Sequence, residues 1–253
     1  MLTEDPVRAP YAGYVAMRWQ PAAGNARPLP VRLFVPAQRP GALCPLILFF
    51  HGAGERGSDS VKHLEPGQWH TGRVPGLFAG QTVQAAHPCF VLAPQCPEES
   101  RWVEWEWERG SYDSTRVGTS ACMTSVIELL DWFTARHPVD RTRLYACGLS
   151  MGGYGCWDIL ARRPAMFAAV LPICGGGDPR AAGRFAATQV WAFHGALDPS
   201  VPVAASRDMI QALRRNGASP RYTEIAGGDH SAWVPFCDEP GVVPWLFSQC
   251  RPA

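Results

Sequence analysis

Lysine is nearly missing from this chain: Lys62 is the only one among 23 basic residues, and the arginines are scattered rather than clustered. Net charge is missing too, because 22 acidic residues leave a formal +1. The chain therefore lacks the electrostatic footprint of a nucleic-acid or anionic-membrane binder, and a small substrate of little charge is the expected partner. Long hydrophobic runs are absent: the longest stretch of large apolar side chains, Leu46 to Phe50, falls far short of the roughly 18 residues a spanning helix needs. The start, Met1 to Pro6, has neither the basic residues nor the apolar stretch of a secretion signal. Cysteine is present, nine in all, but no CxxC pair or Cys/His ladder of zinc spacing occurs, so no metal or other cofactor is expected. Cys89, Cys147, Cys156 and Cys174 lie inside apolar runs, where a reduced thiol packs as a small core residue, and a reducing, cytoplasmic setting is expected.

What is there suits one compact domain: 253 residues, 47% hydrophobic and 18% charged, enough for a sizeable core and too little charge for disorder. Short continuous apolar runs, Val31 to Val35, Leu46 to Phe50, Phe90 to Ala93, Leu144 to Cys147, Ala168 to Ile173 and Val190 to Phe193, read as strands buried on both faces. Tyr222 to Ile225 adds another strand. Between them, Val117 to Arg136 and Ala204 to Arg215 carry apolar residues at helical spacing, Gly153 to Arg163 can form a helix ending before Pro164, and Val242 to Cys250 suggests a closing helix. Strands alternating with helices predict an α/β fold with a mostly parallel sheet covered by helices on both faces. Its core is expected over about 31–246, with 1–30 as an N-terminal extension. The connections Gly54 to Gln84 and Cys96 to Thr115 are long for such a fold, which marks them as walls of a pocket.

Gly148-Leu149-Ser150-Met151-Gly152 follows an apolar strand and opens a helix. A sharp strand-to-helix turn of this kind exposes a serine hydroxyl and needs small flanking residues, although an ordinary Gly-rich turn has the same composition. A serine hydroxyl is a weak nucleophile and requires a base and a group to orient that base. His230, in the loop after the Tyr222 strand, and Asp198, in the loop after the Val190 strand, supply both, and all three fall at carboxyl ends of expected strands. Asp229 is the rival acid, ranked lower because neighbouring side chains in an extended loop point apart. Backbone N–H groups of Ala53, after His51-Gly52, and of Met151 are expected to form an oxyanion hole.

The other candidates are weighed against plainer roles. His51 and His194 are expected to be structural, and His63, His70, His87 and His137 to be solvated. Trp102, Trp105 and Trp107 alternate, which would align three rings along an extended segment. That stripe either staples its loop or forms an aromatic platform; Trp102 and Trp233 are the residues expected to line a substrate pocket. Glu55 and Arg56 could pair with each other or bind a substrate carboxylate, with the structural role favoured.

His51 to Gly57, Ala93-Pro94-Gln95-Cys96-Pro97, Gly148 to Gly153 and Gly227-Gly228-Asp229-His230 together resemble the α/β-hydrolase superfamily. The resemblance runs from about Val31 to Leu246. It is strongest to a bacterial group of predicted peptidases and esterases that is similar to feruloyl and acetylxylan esterases and, more distantly, to dienelactone hydrolases. It implies a triad of Ser150, Asp198 and His230, with oxyanion donors from Ala53 and Met151. The expected activity is a cofactor-independent serine carboxylesterase on small to moderate esters, such as hydroxycinnamoyl or acetyl esters of sugars. A serine where dienelactone hydrolases carry cysteine argues against that activity. A peptidase or acyltransferase of the same fold, or a hydrolase-shaped binding protein, are the alternatives.

Overall fold

The computed structural model describes residues 1–37, 41–65 and 67–252. Nine strands form one sheet: β1 (Leu2–Glu4), β2 (Val15–Trp19), β3 (Leu29–Phe34), β4 (Cys44–Phe50), β5 (Phe90–Pro94), β6 (Val139–Leu149), β7 (Ala169–Ile173), β8 (Gln189–Gly195) and β9 (Arg221–Ile225). Their spatial order is β1-β2-β3-β5-β4-β6-β7-β8-β9. The first four neighbours pair antiparallel, and everything from β5 through β9 is parallel.

The continuous apolar runs follow from burial on both faces. Along β4, Leu46, Leu48 and Phe50 enter one core while Ile47 and Phe49 enter the other. The first core is roofed by α3 (Ala121–Arg136), α4 (Met151–Arg162) and α5 (Ala204–Arg215), through Leu129, Phe133, Trp157, Leu160, Met209 and Leu213. The second is covered by α1 (Arg73–Ala79), α6 (Trp233–Asp238) and α7 (Val242–Phe247), through Val74, Phe78, Phe236 and Leu246. A further short helix, α2 (Gln81–Ala86), leads into β5.

Two expectations are corrected, and one connection gains detail. Residues 1–30 are not an extension outside the core: β1 and β2 extend the sheet, burying Leu2, Ala16 and Trp19. The alternation Val15-Ala16-Met17-Arg18-Trp19 hides among prolines and glycines and is too short to signal a strand by period alone. The Gly54 to Gln84 connection, of which Pro66 lies outside the described residues, contains α1 and most of α2; these helices are too short to show a periodic stripe. The helix expected from Val117 begins at Ala121, where the Ser120 hydroxyl accepts from the Met123 N–H at 3.0 Å and caps the first turn.

Among the described residues, no helix is long and apolar enough to cross a membrane. All nine cysteines are free thiols, and Cys89, Cys147, Cys156 and Cys174 are buried as expected.

Candidate active site

Four carboxyl-terminal strand ends place the site. Ser150 stands between β6 and α4 with φ 56° and ψ −120°, a backbone conformation that L-residues avoid and that costs about 1–3 kcal/mol unless neighbours hold it. The Ser150 N–H is held by the Ile173 carbonyl at 2.8 Å, and its own carbonyl accepts from Gly153 at 2.8 Å and Tyr154 at 3.2 Å. Gly152 is required by the tightness of this turn, since a Cβ there would strike the Phe50 carbonyl at the end of β4.

His230, in the loop after β9, has Nε2 2.8 Å from Ser150 Oγ and Nδ1 2.6 Å from Asp198 Oδ2. The Asp198 side chain, in the loop after β8, is wholly buried while the His230 side chain is 24% exposed. The carboxylate is therefore sealed in the protein and the imidazole opens to the pocket. Asp198 Oδ1 accepts from the N–H groups of Ser200 at 2.8 Å and Val201 at 2.9 Å. Burial pushes the Asp198 carboxyl up, but hydrogen bonds from His194, His230 and the Val201 N–H outweigh it and hold it well below the usual carboxylate range. Asp229 is turned away, its carboxylate accepting from the N–H and hydroxyl of Ser231.

Met151 opens α4 and Ala53 opens a 3₁₀ turn over Ala53–Glu55. The N–H groups at the start of such elements have no partner within the element, and Ala53 lines the same pocket as Ser150.

The pocket has a volume of about 650 Å³. Its walls include Ala53, Glu55, Ser150 and His230 together with Trp69, Trp107 and Trp233. Trp233 packs edge-on against His230 with ring centroids 5.4 Å apart, and its indole N–H donates to the Trp69 carbonyl at 2.6 Å.

Trp102 requires correction: it is not at the pocket. It is fully buried, packed edge-on against Phe50 and His51 with centroids 5.1 Å away in each case, and its indole N–H donates to the His51 carbonyl at 3.0 Å. The segment bends and enters a 3₁₀ turn at Trp107–Arg109 instead of running extended, so the period of two does not align the rings. Trp107 reaches the pocket and Trp105 is tied to the Gly110 carbonyl at 3.0 Å. Trp69, His70 and Thr71 also line the pocket; the only signal for them was the length of their connection.

Glu55 and Arg56 do not pair. The Arg56 guanidinium donates to the Ala53 carbonyl at 2.9 Å and bridges to Ser100 at 3.4 Å. Glu55 is 8% exposed, accepts the Thr71 hydroxyl at 3.2 Å on Oε1, and has no hydrogen-bond partner for Oε2 among the described residues. Burial raises its pKa despite the Thr71 bond.

His51 is structural, donating from Nδ1 to the Gly52 carbonyl at 2.6 Å and accepting the Cys96 N–H on Nε2 at 2.8 Å. His63, expected in solvent, is fully buried with Nε2 3.1 Å from the Ala93 carbonyl. His87 stacks on Phe247 and His137 on Phe133, at 4.4 and 4.0 Å.

A mostly parallel sheet, helices on both faces and a serine on a strained strand-to-helix turn define the α/β-hydrolase fold. Solved structures of that fold are similar to this chain. A thermostable esterase aligns at 35% identity and TM-score 0.83, over 94% of this chain and 64% of its own. A ferulic acid esterase aligns at 17% and 0.60, over 87% and 94% of the two chains, and the Pyrococcus horikoshii acylaminoacyl peptidase at 13% and 0.67, over 95% and 42%. This chain thus spans less than two thirds of the length of the thermostable esterase and of the peptidase. No family model matches the chain, and no curated relative does.

Proposed function

We propose that the protein is a serine carboxylesterase. The observation that carries this reading is the hydrogen-bonded chain from Asp198 through His230 to Ser150, at 2.6 and 2.8 Å, opening into a pocket of about 650 Å³. In this mechanism Ser150 Oγ attacks the ester carbonyl as its proton passes to His230 Nε2, while Asp198 stabilises the imidazolium. The oxyanion forms against the N–H groups of Ala53 and Met151, each donor worth a factor of roughly 10² to 10³. His230 then protonates the leaving alcohol, and water activated by the same imidazole releases the acid.

The pocket walls fit a small or moderate ester with an aromatic or sugar-like part. Trp69, Trp107 and Trp233 supply apolar faces, and the described wall residues include no Lys or Arg to neutralise an anion. Ester cleavage is favoured over peptide cleavage by the likeness to esterases, and the free thiols suit a reducing compartment.

The test is hydrolysis of short-chain p-nitrophenyl esters by wild type, Ser150→Ala and His230→Ala, with folding checked by circular dichroism. Wild type should turn over and both variants should lose at least about 10³-fold in kcat. Retained activity in folded Ser150→Ala refutes the mechanism. Hydrolysis of a peptidyl anilide at a rate comparable to an ester would reassign the protein to the peptidases.

A further inference from the structure

The contacts around Asp198 include one ring nitrogen that the chemistry above does not use. His194 is the next-to-last residue of β8, four residues before Asp198, and is fully buried. Its Nε2 is hydrogen-bonded to the Val201 carbonyl at 3.1 Å and lies 3.2 Å from a second acceptor, Asp198 Oδ2. A bare ring lone pair aimed at two oxygens would repel both, so Nε2 carries hydrogen. On the far side of the ring, Nδ1 lies 2.7 Å from Ser206 Oγ, which is 2.9 Å from the Gly175 carbonyl beyond β7. The imidazole is thus clamped between α5 and the acid loop. The oxygen it addresses is the one that meets His230 Nδ1 at 2.6 Å.

We propose that His194 is a positioning residue of the reaction centre: its Nε2–H is a second histidine donor to Asp198 Oδ2, fixing the carboxylate plane so that His230 is held with Nε2 toward Ser150. This rests on the serine-hydrolase reading. The physical consequence is twofold. With Oδ1 held by two backbone N–H groups and Oδ2 by two rings, the carboxylate cannot rotate during proton transfer. Sharing Oδ2 between two donors also weakens its pull on the His230 ring. The other ionisable groups facing this cluster are Cys174 and Tyr154 near Asp198, Glu55 and Asp229 toward the pocket, and Glu224, paired with Arg207, on the His194 side. The substitutions below leave all of them in place.

The experiment compares wild type, His194→Leu, His194→Gln and Ser206→Ala on p-nitrophenyl acetate over about pH 5 to 9, with Ser150→Ala as the inactive control. His194→Leu should lose about tenfold or more in kcat with KM little changed, the worth of one hydrogen bond to a charged partner. The acid limb of its rate profile should move to higher pH, because a carboxylate relieved of one donor binds the imidazolium more strongly. His194→Gln, whose amide can donate to the same oxygen, should recover most of kcat, and Ser206→Ala, which keeps the ring but not its support, should fall between. A folded His194→Leu with wild-type kcat and an unmoved acid limb overturns the proposal. Should that variant fail to fold, Ser206→Ala decides in the same way. If wild type turns over no ester, the hydrolase reading fails separately, and NMR titration of the His230 ring still tests the contact: an upward move in the variant supports it and no move overturns it.

Discussion

Glu55 shows how one buried side chain sets a pH dependence. Its carboxyl is nearly sealed, with one oxygen on Thr71 and the other beside Gly52, where a Cβ would lie 2.9 Å from Oε2. Ionisation there sacrifices hydration for little compensation. The folded-state pKa is raised, so the unfolded chain releases this proton first, and the folded state loses stability relative to it as pH rises from the ordinary carboxyl range toward neutrality. Glu55→Gln removes the charge and keeps the shape. Its melting temperature should therefore match wild type near pH 4 and exceed it near pH 7, as scanning calorimetry at the two pH values will show. A constant difference between the two would remove Glu55 as the cause.

At the scale of elements, the site depends on how closely α4 approaches the end of β4 and on how the Trp-rich connection is fastened to α4. Gly152 lies in the first turn of α4 against the Phe50 carbonyl, with no room for a methyl group. Gly152→Ala should cost on the order of 2–3 kcal/mol, the usual penalty of overpacking a rigid contact, and should reduce turnover because Met151 is displaced with the helix start. Urea unfolding beside steady-state kinetics measures both. The Tyr154 hydroxyl meets the carbonyls of Trp107 at 3.0 Å and Gly110 at 3.1 Å, tying the Trp107 wall to the helix that follows Ser150. Tyr154→Phe should raise KM several-fold with little change in kcat, since it frees a wall without touching Ser150 or His230. A fall in kcat with KM unchanged would mean that the tie serves the elbow instead.

Across the whole molecule, buried histidines couple stability to acid. In His51 both ring nitrogens are committed, one donating and one accepting the Cys96 N–H, so a second proton would oppose that N–H. Burial lowers the pKa of His51 to about 4 and that of His63 to about 3. A depressed histidine gives stability that is complete above its unfolded pKa and is lost as pH falls, here from about 6.5 downward. His51 alone accounts for on the order of 3 kcal/mol by this linkage. Stability from urea titrations should therefore fall steadily between about pH 7 and pH 4.5, and a flat profile would contradict the burial of these rings. The walls of the pocket, with Glu55 and Asp229 and no Lys or Arg among the described residues, also set a preference by charge: a neutral methyl ester should be hydrolysed at least about tenfold more efficiently than an analogue with a carboxylate near the ester, a difference worth roughly 1.4 kcal/mol. Equal kcat/KM values would show that the walls do not govern selection.

The sequence by itself determined the layered architecture, because apolar runs buried on both faces and helical stripes between them allow few other arrangements. It also placed Ser150, Asp198 and His230 at strand ends, since the turn chemistry around each residue is local: glycine beside the serine, and loops directly after β8 and β9 for the acid and the base. Distances were not legible there: it is the packing of β6, β8 and β9 that joins these three side chains in one hydrogen-bonded chain while Asp229 turns to Ser231. Nor could alternation along the chain separate Trp107, at the pocket, from Trp102, in the core. That difference arises where the segment bends against Phe50 and His51, a contact between residues far apart in sequence. The same holds for His194 and for β2. Each is defined by partners elsewhere in the chain, Asp198 with Ser206 and β3 respectively, and packing of that kind leaves no periodic trace in one sequence.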